Sequence, residues 1–316
     1  MNSLNSHTGA LARFWKGKIS WDRPMADYST FKVGGPAEAI IPIQAVEDLK
    51  RLVCWLKENR ISWRILGRGS NILVPDQGLP GVTILLKGEF DHIEKLPDPA
   101  DNKEKNRLIR AGGGCPLSRV VRFCTENSLA GLEFAVGIPG SIGGAIVMNA
   151  GAWGHEIANL LETAVLMDNS GRIFDESRKN LGFTYRGWGM EPHTVLLYAT
   201  LALTAGHRDE IKAACSRFQT LRKKNQPLAD ASAGSFFKNP PDMSAGQLID
   251  RAGLKGHTIG GAKISEKHAN FIINTGKASA SDILSLMRLI QNTVFDRFGI
   301  KLEPEVHILG DGEKGL

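Results

Sequence analysis

The sequence has few cysteines, and they show no metal-binding or disulfide pattern. None of its four cysteines forms a C-x-x-C pair, which excludes a zinc framework and a disulfide scaffold and indicates buried, reduced thiols. No apolar run approaches the roughly 18 residues of a membrane span, and the first twenty residues lack the apolar core of a secretory signal peptide. We therefore expect a cytoplasmic protein with no membrane contact and no bound metal.

Several functional motifs are also missing. No G-x-G-x-x-G follows the first predicted strand, which leaves a Rossmann dinucleotide site without support, and no G-x-S-x-G marks a hydrolase nucleophile. The net charge of +6 is dispersed, with one compact basic run at Arg222, Lys223 and Lys224. Because no basic stripe is interleaved with aromatic residues, we expect no nucleic-acid partner, whereas an anionic substrate suits this charge.

Glycine, by contrast, is abundant, with 35 residues in a chain of 316. It is densest over residues 136–151, V-G-I-P-G-S-I-G-G-A-I-V-M-N-A-G. Glycine permits left-handed backbone and close approach of a ligand, and such a run can aim several N–H groups at one anion. A tight turn between packed elements would use the same residues. Ser141 and Asn149 could hydrogen-bond a ligand, and they favour a phosphate-bearing ligand over the turn.

A second glycine turn lies at residues 67–71, G-R-G-S-N, between short predicted strands at 63–66 and 72–74. It again offers free backbone N–H groups, and Arg68 could pair with a phosphate. Arg68 could equally be a solvated turn residue. Its neighbours Ser70 and Asn71 favour the ligand.

Apolar spacing predicts an irregular mixture of helices and strands, without the βαβ repeat of a doubly wound sheet. Helices are predicted over 46–59, 117–127, 209–224, 244–252 and 280–298. Strands are predicted over 39–43, 82–86, 108–111, 195–203, 271–274 and 305–309, with a hairpin of 164–168 and 172–175. The proline within 39–43 indicates an edge strand. Residues 1–27 are expected to be a tail with a short helix, 98–106 a surface insertion, and a domain boundary is expected near 205.

Four clusters are candidates for chemistry: Tyr185–Arg186, Ser235, His268–Asn270, which precedes an apolar strand, and Glu305. Ser235 follows Gly234 and precedes two phenylalanines that could anchor it at a cleft. Glu305 enters an apolar strand, where a carboxylate is buried only with a partner. Arg186 or a ligand could be that partner. Each of these residue types, taken alone, is more often structural than catalytic.

Seven segments occur in one order along the chain: T-F-K-V-G-G-P-A, L-G-R-G-S-N-I-L-V, G-I-P-G-S-I-G-G-A-x-x-M-N-A-G-A-W-G, Y-R, A-G-S-F-F-K-N-P, H-A-N-F and L-E-P-E-V. Together they resemble the UDP-N-acetylenolpyruvoylglucosamine reductase family over roughly residues 28–310. The resemblance implies an α+β fold. Its FAD-binding domain, of the vanillyl-alcohol-oxidase (PCMH) type with two subdomains, would span 28–205, and a C-terminal α+β substrate-binding domain would span 206–316.

The resemblance further implies non-covalent FAD, NADPH as the hydride donor and a UDP-sugar substrate, and we expect a monomer. The cofactor-binding positions that it carries over are Arg68, Gly69, Ser70, Asn71, Gly137, Ile138, Pro139, Gly140, Ser141, Gly143, Gly144, Ala145 and Asn149. It assigns Arg186 to the charge that develops on the substrate carboxylate, Glu305 to sharing a proton with that group, and Ser235 to proton donation. The substrate-binding positions are Tyr185, Lys224, Asn239, His268 and Asn270.

Two points stay open on sequence alone. Lys223 suits the substrate diphosphate as well as Lys224 does, and a solvated basic helix end would explain both. One class of the family closes a tyrosine-bearing loop over the substrate, but the only tyrosines here are Tyr28, Tyr185 and Tyr198, none in a suitable insertion. The chain therefore resembles the shorter class. The alternatives are an alcohol or sugar oxidase of the same fold and a nucleotide-binding regulatory protein.

Overall fold

The structure is a computed structural model that describes residue 4 and residues 7–97 and 106–310. The expected insertion at 98–106 lies outside these ranges except for its last residue. The helices are α1 (Thr8–Phe14), α2 (Val46–Glu58), α3 (Leu117–Glu126), α4 (Ile142–Val147), α5 (Arg208–Asn225), α6 (Ala245–Arg251) and α7 (Ala280–Phe298). The strands are β1 (Ser20–Pro24), β2 (Pro36–Ile43), β3 (Trp63–Ile65), β4 (Ile72–Leu73), β5 (Leu79–Leu86), β6 (Ile93–Lys95), β7 (Asn106–Gly112), β8 (Leu129–Ala130), β9 (Gly151–Ala152), β10 (His155–Glu156), β11 (Leu161–Met167), β12 (Ile173–Ser177), β13 (Val195–Ala205), β14 (Thr258–Ile259), β15 (Ala262–Ile264), β16 (Ile272–Asn274) and β17 (His307–Ile308).

The first sheet has the order β1-β2-β5-β3, with β2, β5 and β3 parallel and β1 antiparallel to β2. The expected edge strand over 39–43 is wrong, because β2 has a neighbour on each side. Its proline is accommodated because pairing with β1 ends at Ile40, so Pro42 pairs only toward β5. The amphipathic helix α2 packs its buried face on this sheet.

The described part of residues 1–27 is not a free tail. It supplies α1 and the strand β1, and Leu11 and Trp15 are buried in the same core as α2. The sequence did not predict this contribution, because few apolar residues recur at helical spacing in this segment. Two large buried side chains nevertheless hold the seven-residue helix and the residue after it on the core.

The second sheet is antiparallel, in the order β12-β11-β13-β7-β6, with β8 pairing to the end of β13. The predicted hairpin is confirmed as β11 and β12, closed by Asp168, which accepts from the backbone N–H groups of Ser170 and Arg172. Helices α3 and α4 cover the sheet, and Cys215 and Phe218 of α5 pack against the same core. Helix α5, which lies beyond the expected boundary near 205, is therefore attached to the first domain.

A third core is built from α6, α7 and the small sheet β14-β15-β16, and Phe31, Val33 and Leu73 enter it from the first domain. The helix predicted over 280–298 is confirmed as α7, with a capping box at Ser279 and the left-handed Gly299 as its end. The chain then returns to the first domain, where β17 pairs in parallel with β4. Across the described residues, no helix has the length and apolar character needed to cross a membrane.

Candidate active site

Ser235 and Glu305 lie on two neighbouring backbone segments. The N–H of Glu305 donates to the carbonyl of Phe236 at 2.8 Å, and the N–H of Lys238 donates to the carbonyl of Glu303 at 2.9 Å. Gly234 has a φ of +81°, which turns the chain just before the serine. Because Phe236 and Phe237 are buried, this pairing fixes the serine backbone beside the glutamate.

Asn270 secures the serine segment from the other side. Its side-chain N–H donates to the carbonyl of Phe237 at 2.8 Å, its Oδ1 accepts from the N–H of Phe237 at 2.9 Å, and its own carbonyl accepts from the N–H of Phe236 at 2.7 Å. The residue is only 3% exposed. Its amide is thus used within the protein, and it supports the loop that carries Ser235. A direct contact between Asn270 and the substrate stays a prediction.

Arg186 and Glu305 form an ion pair, with Nε 2.9 Å from Oε1 and side chains that are only 18% and 16% exposed. Burial raises the pKa of Glu305 above its usual value, and the nearby Arg186 opposes that rise without cancelling it. The remaining arginine nitrogens make long contacts, Nη1 to the carbonyl of Asn149 at 3.5 Å and Nη2 to that of Gly151 at 3.3 Å. A carboxylate could replace these weak contacts.

The backbone around Arg186 is unusual. Its φ is +59°, a left-handed conformation that is uncommon for a non-glycine residue, and its guanidinium stacks on the exposed ring of Tyr185 at 5.0 Å. The buried Asn149 holds this turn, since its side-chain N–H donates to the carbonyl of Thr184 at 3.1 Å and to Glu156 at 2.9 Å. Asn149 therefore places Arg186, and its predicted contact with a cofactor stays a prediction.

The two glycine loops predicted to bind phosphate lie against each other and against the Glu305 segment. The hydroxyl of Ser70 donates to the carbonyl of Pro139 at 2.8 Å, joining the loops. The side-chain N–H of Asn71 donates to the carbonyl of Glu305 at 3.0 Å, across 234 residues of sequence. A β-carbon at Gly69 would lie 1.9 Å from the carbonyl oxygen of Tyr28, so only glycine fits there.

These loops fit a diphosphate. In the two glycine loops, the backbone N–H groups of Gly67, Arg68, Ser70, Gly137 and Gly140 are among those that donate to no acceptor within the described residues. Gly67, Arg68 and Gly137 are exposed, and a β-carbon at Gly67 would lie 2.7 Å from the hydroxyl of Ser141. Free amides beside a cationic side chain are the donor set that an anionic cofactor such as FAD requires.

The other predicted substrate-binding residues make local contacts. Asn239 accepts from the N–H of Ala245 at the start of α6. The ring of His268 packs edge-on against Phe271, and burial lowers its pKa, which favours a neutral ring. Lys223 and Lys224 are both exposed, and Lys223 also lines a surface cleft of about 500 Å³. Of the two lysines left open by the sequence, Lys223 thus faces a cavity.

The structure adds two residues that sequence reasoning missed. Burial is the main cause of the raised pKa of Glu305 and the lowered pKa of His307, and the charge of Lys238 opposes the first shift and adds to the second. The Nε2 atom of His307 lies 2.6 Å from the sulfur of Met148, which joins the C-terminal segment to the glycine-rich run at 136–151. His307 follows Glu305 by two residues, and side chains at that spacing share one face of an extended segment. This two-residue spacing is the sequence signal that could have identified His307 as a neighbour of the site.

The chain combines the two domains of a known class of flavoprotein. A family model described as an FAD binding domain matches residues 37–177. A second, described as the C-terminal domain of UDP-N-acetylenolpyruvoylglucosamine reductase, matches residues 226–309. The expected α+β fold with a PCMH-type FAD-binding domain is confirmed.

Relatives cover nearly the whole chain. UDP-N-acetylenolpyruvoylglucosamine reductase 1 from Bacillus thuringiensis is 42% identical to this chain over 296 residues. The alignment covers 93% of this chain and 95% of that protein. The Syntrophus aciditrophicus reductase is 42% identical over 93% of each chain. The crystal structure of the Thermus caldophilus enzyme superposes with a TM-score of 0.79 at 35% identity, over 93% of this chain and 99% of that one. The chain belongs to the UDP-N-acetylenolpyruvoylglucosamine reductase family, as its sequence motifs predict.

Proposed function

We propose that this chain is an FAD-dependent reductase that converts UDP-N-acetyl-3-O-(1-carboxyvinyl)-glucosamine to UDP-N-acetylmuramate, a step of peptidoglycan precursor synthesis, with NADPH as the electron source. The observation that supports it most is the convergence of Arg186, Glu305 and the Ser235 segment beside two glycine loops with free amides. This set suits reduction of a carbon–carbon double bond next to a carboxylate.

FAD bound along these loops would supply the hydride chemistry, accepting a hydride from NADPH and delivering it to the terminal vinyl carbon. Residues of both glycine loops, Arg68 to Asn71 and Gly137 to Ala145, would hold it. Because the loops touch each other through Ser70 and Pro139, they form one surface for a single extended ligand.

Arg186 would bind the substrate carboxylate. Negative charge that develops on the neighbouring carbon spreads into that carboxylate, and a guanidinium offers it two parallel donors. The two long contacts of its Nη atoms are readily exchanged for carboxylate oxygens, while Glu305 keeps Nε in place. Donors aimed in advance at developing charge supply a large part of catalysis.

Ser235 would complete the reaction by giving its hydroxyl proton to the carbon that bears the carboxylate. Hydride and proton then add across the double bond, so the product carries two more hydrogens than the substrate. The backbone hydrogen bonds of the Ser235 loop would keep that hydroxyl near the Arg186–Glu305 pair.

A visible spectrum tests the function directly. We expect a yellow protein that NADPH bleaches under anaerobic conditions and that the enolpyruvyl UDP-sugar recolours, with a product two mass units heavier. An oxidase of the same fold would instead be bleached by an alcohol or sugar and recoloured by oxygen. A regulatory nucleotide-binding protein would be colourless, and either result would refute the proposal.

The raised pKa of Glu305 predicts a pH dependence of substrate binding. The protonated carboxyl can hydrogen-bond the substrate carboxylate, whereas the ionised one repels it. We therefore expect affinity to be highest at low pH and to fall as pH rises through the Glu305 pKa, which burial places above the ordinary glutamate value. Titration of the visible spectrum with substrate over a pH series measures this.

Glu305→Gln should bind substrate with little dependence on pH through this range. Its comparison with the parent separates Glu305 from His307, whose pKa is lowered by burial. Asp296→Asn is the control, because Asp296 is an exposed carboxylate on α7 and should leave the pH dependence unchanged. An identical pH slope in Glu305→Gln would contradict the assignment.

A further inference from the structure

Thr30 joins the first glycine loop to the segment that carries Ser235. Its backbone N–H donates to the carbonyl of Gly69 at 3.0 Å. Its hydroxyl donates to the carbonyl of Ser232 at 2.7 Å and makes a longer contact of 3.4 Å with the Gly69 carbonyl. One half-buried residue therefore contacts both the loop that would hold the FAD phosphates and, three residues before Ser235, the segment that would donate the proton.

Phe31, the next residue, makes a second contact with the same segment. Its ring is fully buried and packs edge-on against the ring of Phe236, with the ring centroids 6.4 Å apart. Its carbonyl accepts from the side-chain N–H of Asn274 at 3.0 Å, which holds the backbone of this turn in place. Because Phe236 directly follows Ser235, the Thr30–Phe31 pair contacts the segment on both sides of the serine.

The bond to Gly69 also orients the first glycine loop. In a planar trans peptide, the carbonyl and the following N–H point in opposite directions, and the described residues contain no cis peptide bond. Since Thr30 holds the carbonyl of Gly69, the N–H of Ser70 points away from Thr30. That N–H donates to no acceptor in the described parts of the chain, as an amide that binds a phosphate requires.

We propose that Thr30 is a positioning residue that sets the distance between bound FAD and the proton-donating hydroxyl of Ser235. Hydride from the flavin and the proton from Ser235 add to adjacent carbons of one double bond, so the two donors have to be held in a fixed relation. Thr30 acts through the carbonyls of Gly69 and Ser232 and does not itself contact the reacting atoms. The inference rests on the proposed function, in that FAD binds the Gly69 loop and Ser235 donates the proton.

The experiment compares the FAD-loaded parent with Thr30→Val and Thr30→Ser by anaerobic stopped-flow absorbance. Valine has nearly the shape of threonine but no hydroxyl, so it keeps the backbone bond to Gly69 and loses the bond to Ser232, whereas serine keeps both. We expect Thr30→Val to slow reoxidation by the enolpyruvyl UDP-sugar by about tenfold, because small misplacements of reacting groups are costly. The rate of reduction by NADPH should be unchanged, and Thr30→Ser should match the parent in both half-reactions.

The solvent deuterium isotope effect on reoxidation gives a readout that general weakening of the fold would not change. It should rise in Thr30→Val, because transfer of the hydroxyl proton then limits the rate more strongly. Thr275→Val is the matched control, since the Thr275 hydroxyl donates to the carbonyl of Gly261 at 2.8 Å, a bond of similar length that involves neither glycine loop nor the Ser235 segment. This control should keep the parent rates and the parent isotope effect.

The outcomes separate this inference from the proposed function. A parent protein without FAD would refute the proposed function itself. Equal slowing of both half-reactions in FAD-loaded Thr30→Val, parent rates in both, or a slowed reoxidation that Thr30→Ser does not recover would each overturn the role of Thr30 alone. If valine prevents folding, Thr30→Ala removes the same hydroxyl with a smaller side chain, and the same division between the half-reactions is expected of it.

Discussion

Ser235→Ala is expected to leave the reduction of bound FAD by NADPH at the parent rate and to slow reoxidation by the enolpyruvyl UDP-sugar by about 10²–10⁴-fold, the range for loss of a positioned proton donor. The substitution removes only the hydroxyl. Its backbone is fixed by the buried Phe236 and by the carbonyl of Asn270, so alanine should occupy the same place. The two half-reactions therefore report separately on the cofactor site and on the proton.

Anaerobic stopped-flow absorbance resolves the two half-reactions. Ser232→Ala is the matched control, because Ser232 lies three residues earlier in the same segment and its carbonyl, which accepts from the hydroxyl of Thr30 at 2.7 Å, is unaffected. Equal loss in both half-reactions would show that Ser235 shapes the site and does not donate the proton. A parent rate of reoxidation in Ser235→Ala would assign proton donation to another group.

Local sequence signals predicted most of the regular elements. Helices α2 and α7 are confirmed because apolar residues recur at helical spacing on one face, and Ser279 and Gly299 supply a start and a stop. The contribution of residues 20–24 to the first sheet was missed, because strand pairing depends on distant partners. The same limit produced the wrong edge assignment of β2, since its pairing with β1 involves residues on the far side of a turn.

In the candidate site, too, the sequence predicted local features and missed long-range contacts. A carboxylate in an apolar segment requires a partner, so the sequence indicated that Glu305 pairs with an arginine or a ligand, and its ion pair with Arg186 is present. The contact between Asn71 and Glu305 joins residues that are 234 positions apart, and no local sequence pattern predicts which distant segments meet. The hydrogen bonds by which Asn270 supports the Ser235 loop also depend on tertiary structure. The sequence shows only that residue 270 is polar, and a polar residue can bind either the protein backbone or a ligand.

Arg222 shows how a local explanation can hide an inward-facing side chain. A basic run at the end of a helix is explained by the helix dipole, and Lys223 and Lys224 are indeed exposed there. Arg222, however, follows Cys215 and Phe218 at helical spacing, and both of these pack on the core of the first domain. This spacing places the Arg222 side chain on the inward face of α5, although its residue type alone favours solvent.

Arg186→Ala is expected to slow reoxidation by the enolpyruvyl substrate by about 10²–10³-fold, as for loss of one aimed donor at a developing negative charge. Arg186→Lys should recover only part of that loss, because an ammonium cannot offer a carboxylate two parallel donors. Reduction by NADPH should be nearly unchanged in both variants. Stopped-flow measurement of each half-reaction, with Arg178→Ala as an exposed control from the preceding segment, tests these expectations.

The alanine variant carries a second consequence through Glu305. Burial already raises the pKa of that carboxyl, and Arg186 is the largest influence opposing the rise, so its removal should raise the pKa further. Substrate binding in Arg186→Ala should then stay insensitive to pH up to a higher value than in the parent, although the reaction itself is slow. Added guanidinium ion should restore part of the rate and move the pH dependence back toward that of the parent. A variant that loses the rate with no change in the pH dependence would separate the two residues and contradict the ion pair as the functional unit.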